Sequence, residues 1–224
     1  AAKAMAARAE KTGSEFLPLF LQKIVAISCV IRRTTKEGLP QIKVGTLGTP
    51  QDDEKVLIQA FFDLVEKYTT VLQSIGGEYV EAKDYNEIIN FVKDNYSLDK
   101  RVVTTLPELA DIGATNWMND DPHSLSDVEL AIVKAHFGVA ENSALWVTDA
   151  VLGQRATPFI AQYLAIVLSK QDIVATMHQA YQLIGDSKYD FGTFIAGPSK
   201  TADIEQSLIL GAHGARGLVV FLLS

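Results

Sequence analysis

The chain has 224 residues, 48% of them hydrophobic, so it can bury one sizeable core; its length favours one domain or one domain with a small appendage. The net charge of −7 and the pI near 5.1 argue against a nucleic-acid-binding role, which needs a clustered excess of Lys and Arg. A single cysteine, Cys29, excludes an internal disulfide, a cysteine-rich zinc site and an iron–sulfur cluster held by this chain alone, because each needs several thiolates.

The first 50 residues are basic: they hold 8 Lys/Arg and 3 Asp/Glu, which leaves 12 and 24 for residues 51–224. Such an arm either docks onto an acidic partner or an anionic surface, or is simply solvated. The apolar run over residues 16–31 is interrupted by Pro18, is shorter than the roughly 20 residues that cross a bilayer, and is followed by Arg32–Arg33 and no small-residue cleavage site. We expect an N-terminal arm or appendage over residues 1–50, no transmembrane segment and a cytoplasmic protein.

Gly and Pro are dense between Gly38 and Pro50, which predicts a loop or linker there. From Gln51 to Ile75 apolar residues recur at helical spacing, and Gly76–Gly77 ends this predicted helix. The sequence next predicts a strand in EYVEAK, a helix in DYNEIINFVKDNY and a strand in KRVVTTL. The predicted order is therefore helix, strand, helix, strand.

A long polar loop is predicted from Leu109 to Leu125, and two neighbouring strands at residues 131–133 and 144–148. Helices and strands then alternate, as ATPFIAQYL (helix), AIVLSKQDIV (strand), ATMHQAYQLI (helix), DFGTFIAG (strand), TADIEQSLILGAHG (helix) and GLVVFLL (strand). This alternation predicts an α/β fold with a mostly parallel sheet and helices on both faces.

The segment GPSKT stands between a predicted strand and a predicted helix. Gly197 and Pro198 form a tight turn, while Ser199, Lys200 and Thr201 would bring hydroxyl, ammonium and N–H groups to a helix start, which favours bound anions. Thr201 suits the helix cap, and the alternative is simply a well-capped helix between two strands. The segment has neither Walker nor G-x-G-x-x-G spacing, which argues against a nucleoside triphosphatase and a dinucleotide oxidoreductase.

His213, in GAHGARG, is the best candidate among the histidines. Gly211 and Gly214 permit a close backbone approach, and Arg216 would add a positive charge. The alternative is a histidine that contacts the last carbonyls of the predicted helix. The predicted ligand-binding set is therefore Gly197, Ser199, Lys200, Thr201, His213 and Arg216.

An acidic cluster begins within the long polar loop and continues past it: Asp120, Asp121, His123, Asp127 and Glu129. These side chains have the atoms for a hard metal ion but no recognised spacing. We interpret the cluster as a solvated loop and predict no metal site.

The segment GPSKTADIEQSLILGAHGARGLVVFLL resembles the carboxy-terminal signature of the lactate-utilisation C (LutC/YkgG) group of LUD-domain proteins, and a looser similarity extends back through DVELAIVKAHFGVAENSALWV. The resemblance spans residues 51–224, which we predict to be one LUD (LutC-like) domain. It implies a NagB/RpiA/CoA-transferase-like fold and a part in oxidising lactate to pyruvate with LutA-like and LutB-like iron–sulfur partner proteins. With one cysteine here, the clusters are expected only in those partners, and no cofactor is expected in this chain.

The sequence departs from this family over residues 141–144, where the customary glycine and the following threonine are absent. The Ala-Glu-Asn string also resembles the glutamate turn of CoA-transferase-fold enzymes, in which a carboxylate attacks an acyl thioester. Glu141 is thus a candidate nucleophile of an acyl/CoA-transferase-like enzyme, or else a glutamate that accepts hydrogen bonds from backbone groups at a strand end. A ligand-binding regulatory module is a third function that the sequence leaves open.

Overall fold

A computed structural model describes residues 27–34, 40–47, 54–201 and 209–224. Contacts between Cα atoms divide the chain into two units, residues 1–28 with 46–61 and residues 29–45 with 62–224. In the first unit the described residues are 27–28, 46–47 and 54–61, the last stretch being helical. The parallel sheet and the candidate site both belong to the second unit.

Two strands, β1 (Ile27–Thr34) and β2 (Pro40–Leu47), form a two-stranded sheet. The loop predicted over residues 38–50 is therefore wrong for residues 40–47. Ile42 and Val44 alternate with polar neighbours, which is the period of a strand, and this signal prevails over the surrounding Gly and Pro. The rest of the predicted N-terminal arm lies mostly outside the described residues.

The predicted order of helix, strand, helix, strand is confirmed as α1 (Glu54–Ser74), β3 (Glu78–Ala82), α2 (Tyr85–Asn95) and β4 (Arg101–Thr104). Helix α2 begins where Asp84 accepts a 3.0 Å hydrogen bond from the N–H of Glu87, whose carboxylate accepts one of 2.9 Å from the N–H of Lys83. These reciprocal bonds satisfy amide groups that have no partner within the helix.

The remaining elements follow in chain order: β5 (Val128–Lys134), β6 (Phe137–Val139), β7 (Ala144–Thr148), α3 (Asp149–Leu152), α4 (Thr157–Ile160), β8 (Tyr163–Ser169), β9 (Ile173–Val174), α5 (Met177–Ile184), β10 (Gly192–Ile195), β11 (Lys200–Thr201), β12 (Ile209–Leu210) and β13 (Gly217–Leu223). Short 3-10 helices occupy Pro107–Leu109 and Pro122–Asp127 in and next to the predicted polar loop. No helix in the described ranges is long and apolar enough to cross a membrane.

The central sheet has five parallel strands in the order β3-β13-β8-β5-β4. A second sheet, in the order β10-β7-β6-β9, is antiparallel except between β6 and β9. The prediction that residues 131–133 and 144–148 form neighbouring strands is wrong, because β5 and β7 belong to different sheets. Strand β6 lies between them in sequence and pairs with β7 across the turn that holds Glu141.

Helices cover both faces of the central sheet, as predicted. On one face, Ile88 and Val92 of α2 pack in a cluster with Ile132, Val167 and Phe221 of the strands. On the other, a Cβ placed on Gly138 would touch both Leu168 of β8 and Tyr68 of α1. Each fully buried side chain of this size contributes about 2 kcal/mol from water exclusion.

The helix predicted for TADIEQSLILGAHG is wrong at both described ends. Lys200 pairs with Leu210 and Thr201 with Ile209, which makes an antiparallel ribbon of β11 and β12. Helix propensity is a local preference that such strand pairing overrides. Residues 202–208, between these two ends, lie outside the described residues. Thr201 therefore does not cap a helix, and a helix dipole does not support anion binding at GPSKT.

Candidate functional site

The GPSKT loop leaves β10 and is fastened to the segment that precedes β13. The N–H of Ser199 donates a 2.8 Å hydrogen bond to the carbonyl of Ala215, and the carbonyl of Ser199 accepts one of 3.0 Å from the N–H of Gly211. Gly197 has φ +74, and a Cβ there would lie 3.0 Å from the carbonyl oxygen of Ile75. The turn therefore needs glycine, and the main chain of Ser199 is fixed on both sides.

The side chain of Ser199 points towards His213. The Ser199 hydroxyl oxygen accepts a 3.3 Å hydrogen bond from the main-chain N–H of His213. A Cβ on Gly214 would lie 3.4 Å from that of Ser199, so the two segments are in van der Waals contact. Among the described residues the Ser199 hydroxyl oxygen only accepts, so its proton can be donated to a ligand.

A cavity of about 260 Å³, which we call the loop cavity, opens beside this loop. It is lined by the polar side chains of Thr193, Ser199, Lys200 and His213 and by apolar residues that include Pro158, Phe159, Leu164, Phe194, Ile195 and Leu218. The cavity therefore offers hydrogen-bond donors and a positive charge beside some hydrocarbon surface.

A second cavity of about 420 Å³, the edge cavity, is lined by Lys200, Leu210, Arg216, Tyr163 and Glu78, among others. The Arg216 guanidinium lies 4.6 Å from the centre of the Tyr163 ring, within cation–π range. Its Nη2 is 3.9 Å from Glu129, which Lys100 approaches to 2.9 Å. The charge of Arg216 is therefore already partly balanced within the protein.

The structure divides the predicted ligand-binding set between these cavities. Gly197, Ser199, Lys200 and His213 line the loop cavity, whereas Arg216 lines the edge cavity together with Lys200. Thr201 lines neither. Their role in binding stays a prediction, now centred on the loop cavity.

Lys200 also has a structural contact. Its ammonium donates a hydrogen bond to the carbonyl of Ile75, directly after the last residue of α1. Gly76 has φ +83, and a Cβ there would lie 2.9 Å from the Lys200 Nζ. A cation at a helix C-terminus is favourable, so Lys200 stabilises this helix end as well as lining the cavities.

Tyr96 is the group at the edge cavity whose acidity is clearly changed. Burial and, to a smaller extent, the negative charges of Glu78, Tyr163 and Glu129 together raise the pKa of its phenol to about 12. Its ring lies edge-on to Tyr163, with centroids 5.6 Å apart. Tyr96 is therefore a neutral hydroxyl at physiological pH.

Glu141 is exposed at the turn between β6 and β7. Its carboxylate accepts a 2.7 Å hydrogen bond from the N–H of Met177, the first residue of α5. The antiparallel register of β7 and β10, in which Leu145 faces Ile195, sets this turn at the same end of the sheet as the start of GPSKT. The contact agrees with the structural alternative for Glu141, and its role as a nucleophile stays a prediction.

Ser143 stands in the turn where the sequence resemblance implies a glycine. It is buried and has φ +55, the left-handed conformation that glycine adopts without steric cost. Its hydroxyl donates a 2.5 Å hydrogen bond to the carbonyl of Tyr68 in α1. The hydroxyl therefore ties this turn to α1, while its backbone has a conformation that suits glycine.

The acidic cluster is divided among separate partners. Asp121 contacts His123 at 2.7 Å, Asp127 contacts Arg101 at 2.8 Å, and Glu129 contacts Lys100. Hydrogen bonds from the backbone and then the side chain of His123 lower the pKa of Asp121. Within the described ranges no three His, Cys, Asp or Glu side chains are grouped to hold a metal ion.

Sequence analysis did not identify Phe159 and Phe194, the two aromatic residues that line the loop cavity. Phe159 lies in the four-residue helix α4, and Phe194 in the edge strand β10. No motif joins them, and they line one cavity only because long-range strand pairing places β10 there.

A family model described as the LUD domain matches residues 65–223. The chain belongs to the LUD domain family. This LUD protein is 33% identical over 107 residues to lactate utilization protein C of Shouchella clausii (strain KSM-K16), a match that covers 44% of the chain and 47% of that relative. The similarity thus spans about half of the relative's length.

The fold of this LUD protein also resembles the crystal structure of a DUF162 family protein from Deinococcus radiodurans. The TM-score is 0.54 at 14% identity, covering 73% of this chain and 98% of the other, which shows a shared fold alone. A second model, described as a predicted 3'-5' exonuclease related to the exonuclease domain of PolB, matches residues 14–85. That match covers less than half of the chain and does not show membership of that family.

Proposed function

We propose that this LUD protein is the LutC-like component of a system that oxidises lactate to pyruvate together with LutA-like and LutB-like iron–sulfur partner proteins. The similarity to lactate utilization protein C is the observation that carries this proposal. In it, the iron–sulfur clusters lie only in the partners, and this chain, with its single cysteine, carries no cofactor and works in the cytoplasm.

The same proposal includes a small anionic ligand in the loop cavity. Ser199 has a hydroxyl proton to donate, Lys200 supplies a positive charge, and His213 lies beside them. The main chain of Ser199 is fixed by two hydrogen bonds, so its hydroxyl needs little reorganisation to meet a carboxylate or phosphate.

The electrons released by lactate oxidation need an acceptor, which supports a role for partner proteins. Oxidation of lactate to pyruvate releases two electrons and two protons, and the electrons require an acceptor. One thiol cannot hold a cluster, and the sequence has no recognised dinucleotide-binding motif. The electrons are therefore assigned to the clusters of the partner proteins.

Reconstitution tests the proposal. The purified chain, the LutA-like and LutB-like proteins and an artificial electron acceptor are mixed, and lactate-dependent reduction of the acceptor is followed. We expect turnover with the complete mixture and none with this chain alone. Lactate oxidation by this chain alone, or an equal rate when it is omitted, would overturn the proposal.

A variant pair connects the loop cavity to this activity. Ser199→Ala removes the hydroxyl donor but keeps the main-chain bonds, and we expect slower turnover. Thr201→Ala is the matched control, since Thr201 lines neither cavity, and we expect the wild-type rate. If both variants oxidise lactate at the wild-type rate, the ligand site in the loop cavity is wrong, while the assignment of this chain to lactate oxidation stands.

A further inference from the structure

Strand β10 is the outer strand of the second sheet. Among the described residues it pairs with β7 alone, in an antiparallel register that sets Gly192 opposite Thr148 and Phe194 opposite Trp146. Every residue of β10 is partly exposed to solvent. The outer edge of this strand is therefore not paired with any strand that the structure describes.

One hydrogen bond shows which main-chain groups of β10 point to that outer edge. The N–H of Asp149 donates a 3.0 Å bond to the carbonyl of Phe191, one step before β10 in the same register. Because main-chain groups alternate in direction along an antiparallel strand, those of Gly192 and Phe194 point away from β7. The Phe194 carbonyl accepts a long 3.5 Å bond from the Thr193 hydroxyl and keeps a second lone pair.

The outer edge of β10 has few of the features that keep strands from pairing. Proteins protect such an edge with short strands, charged side chains, proline or bulges. Residues 191–196, FGTFIA, contain no charged residue and no proline, and the register with β7 has no bulge. Apart from its shortness, β10 is therefore open to a further strand.

We propose that β10 pairs with β10 of a second copy of this chain, antiparallel and about a two-fold axis at Thr193. Gly192 then lies opposite Phe194 of the second copy, and each such pair exchanges both of its N–H···O bonds. An identical strand thus satisfies every outward main-chain group of β10, and the two four-stranded sheets become one. This inference goes beyond the proposed function and does not depend on it.

The aromatic side chains beside this edge fit the same pairing. A Cβ on Gly192 would lie 2.6 Å from the ring of Trp146 and 2.9 Å from that of Tyr189, so these two rings cover the glycine. Phe194 of the second copy, opposite Gly192, therefore comes next to Tyr189. Aromatic pairs across antiparallel strands stabilise their association.

Two of the rings near the edge have an exposure that the pairing accounts for. Tyr181 is 62% exposed and Tyr189 is 42% exposed. Tyr181 nevertheless packs against Phe194 at 5.9 Å and Tyr189 against Trp146 at 5.3 Å between ring centroids. Tyrosines that stand on a packed aromatic cluster and face solvent are typical of protein interfaces. A second copy paired at β10 covers both.

The absence of charge on this strand favours a second copy as the occupant. At a two-fold axis each residue meets its own copy or a near neighbour, so a strand with one charged residue there would repel itself. The segment FGTFIA carries no charge and pairs with itself without this cost. The pairing also closes on itself, which gives a dimer and not an open chain of sheets.

Analytical ultracentrifugation of the full chain at rising concentration tests whether the dimer forms. We expect a species of twice the mass of the chain. Tyr181→Glu places like charges on both sides of the axis, and we expect this species to be lost. Leu98→Glu is the matched control, because Leu98 is an exposed apolar residue outside β10 and α5, and it should dimerise as the wild type does. Circular dichroism checks that both variants are folded.

Amide hydrogen exchange followed by NMR tests where the two copies meet. In the dimer we expect slow exchange at all residues of β10. In the dilute monomer, and in Tyr181→Glu, we expect Gly192 and Phe194 to exchange rapidly, while Thr193 and Ile195 stay protected by their bonds to β7. The two inward amides are thus an internal control for the two outward ones.

A chain that stays monomeric at every concentration would overturn the inference. So would a dimer that Tyr181→Glu leaves intact, or one in which Gly192 and Phe194 exchange rapidly. Protection of these two amides that appears only when a LutA-like or LutB-like protein is added would assign the edge to that partner and remove the second copy. Lactate oxidation by the reconstituted mixture is a separate measurement, so failure of the dimer leaves the proposed function standing.

Discussion

The ammonium of Lys200 reaches the carbonyl of Ile75, so a residue of the predicted anion site also holds the end of helix α1. Any variant of Lys200 changes the free energy of unfolding as well as the charge of the cavity. A ligand-induced shift in melting temperature must therefore be compared with the ligand-free form of the same variant.

Lys200→Met is expected to lower the free energy of unfolding by about 1 kcal/mol, because a charge-assisted hydrogen bond at a helix C-terminus is lost. Urea unfolding followed by circular dichroism measures it. Lys188→Met is the control, since Lys188 is an exposed lysine that lines neither cavity. An equal, negligible effect of both changes would remove the structural role of Lys200.

Two variants of Ser143 separate its backbone strain from its hydrogen bond. Both lose the bond to Tyr68, which costs about 1 kcal/mol, but glycine also relieves a left-handed conformation worth about 1 to 2 kcal/mol. We expect Ser143→Gly to be more stable than Ser143→Ala by about 1 kcal/mol in urea unfolding. At Ser97, where φ is not positive, the order should reverse, with alanine the more stable.

Glu141→Ala is expected to destabilise the protein by about 1 kcal/mol, because the N–H of Met177 loses its acceptor at the start of α5. Glu141→Gln keeps an acceptor and should lose less. Intact-mass measurement after incubation with an acyl-CoA addresses the nucleophile hypothesis in the same samples. We expect no adduct on the wild type; an adduct that maps to Glu141 would favour the acyl-transferase alternative instead.

Tyr96 predicts how stability changes at alkaline pH. The pKa of Tyr96 in the folded protein, about 12, lies above the ordinary value of 10.0. The contribution of its neutral hydroxyl to the free energy of unfolding is therefore fully present below pH 10 and is lost as the pH rises towards 12. Tyr96→Phe cannot ionise, and its melting temperature should fall less steeply over this interval. Ultraviolet absorbance of the phenolate provides an independent titration, and a midpoint near 10 for Tyr96 would contradict the effect of burial.

Local patterns identified the first half of the domain well. The apolar spacing over residues 51–75 and the glycines after it correspond to α1, and Asp84 with Glu87 begins α2 as a capping pair. The final strand GLVVFLL is likewise a continuous apolar run, as expected for a strand buried on both faces. These patterns are local in sequence, so the helices and the strand can be predicted from them without knowledge of the tertiary structure.

The site was predicted less completely because it depends on pairing between distant residues. TADIEQSLILGAHG has residues that favour a helix, yet Lys200 and Thr201 are drawn into a ribbon with Ile209 and Leu210. In the folded chain Arg216 lines the edge cavity, whereas Ser199 and His213 line the loop cavity. The family resemblance identified the loop, but the three-dimensional arrangement decided which side chains share a space.

Strand β13 joins parts of the chain that are far apart in sequence. It lies between β3 and β8, and Val219 faces Glu78 across the ladder although about 140 residues separate them. During synthesis, the facing edges of β3 and β8 stay without this partner until residues 217–223 have left the ribosome. Parallel pairing over such a distance is slow, and two open edges of hydrophobic strands invite association with other chains. We expect folding yield to be more sensitive to changes in β13 than its seven residues alone would suggest.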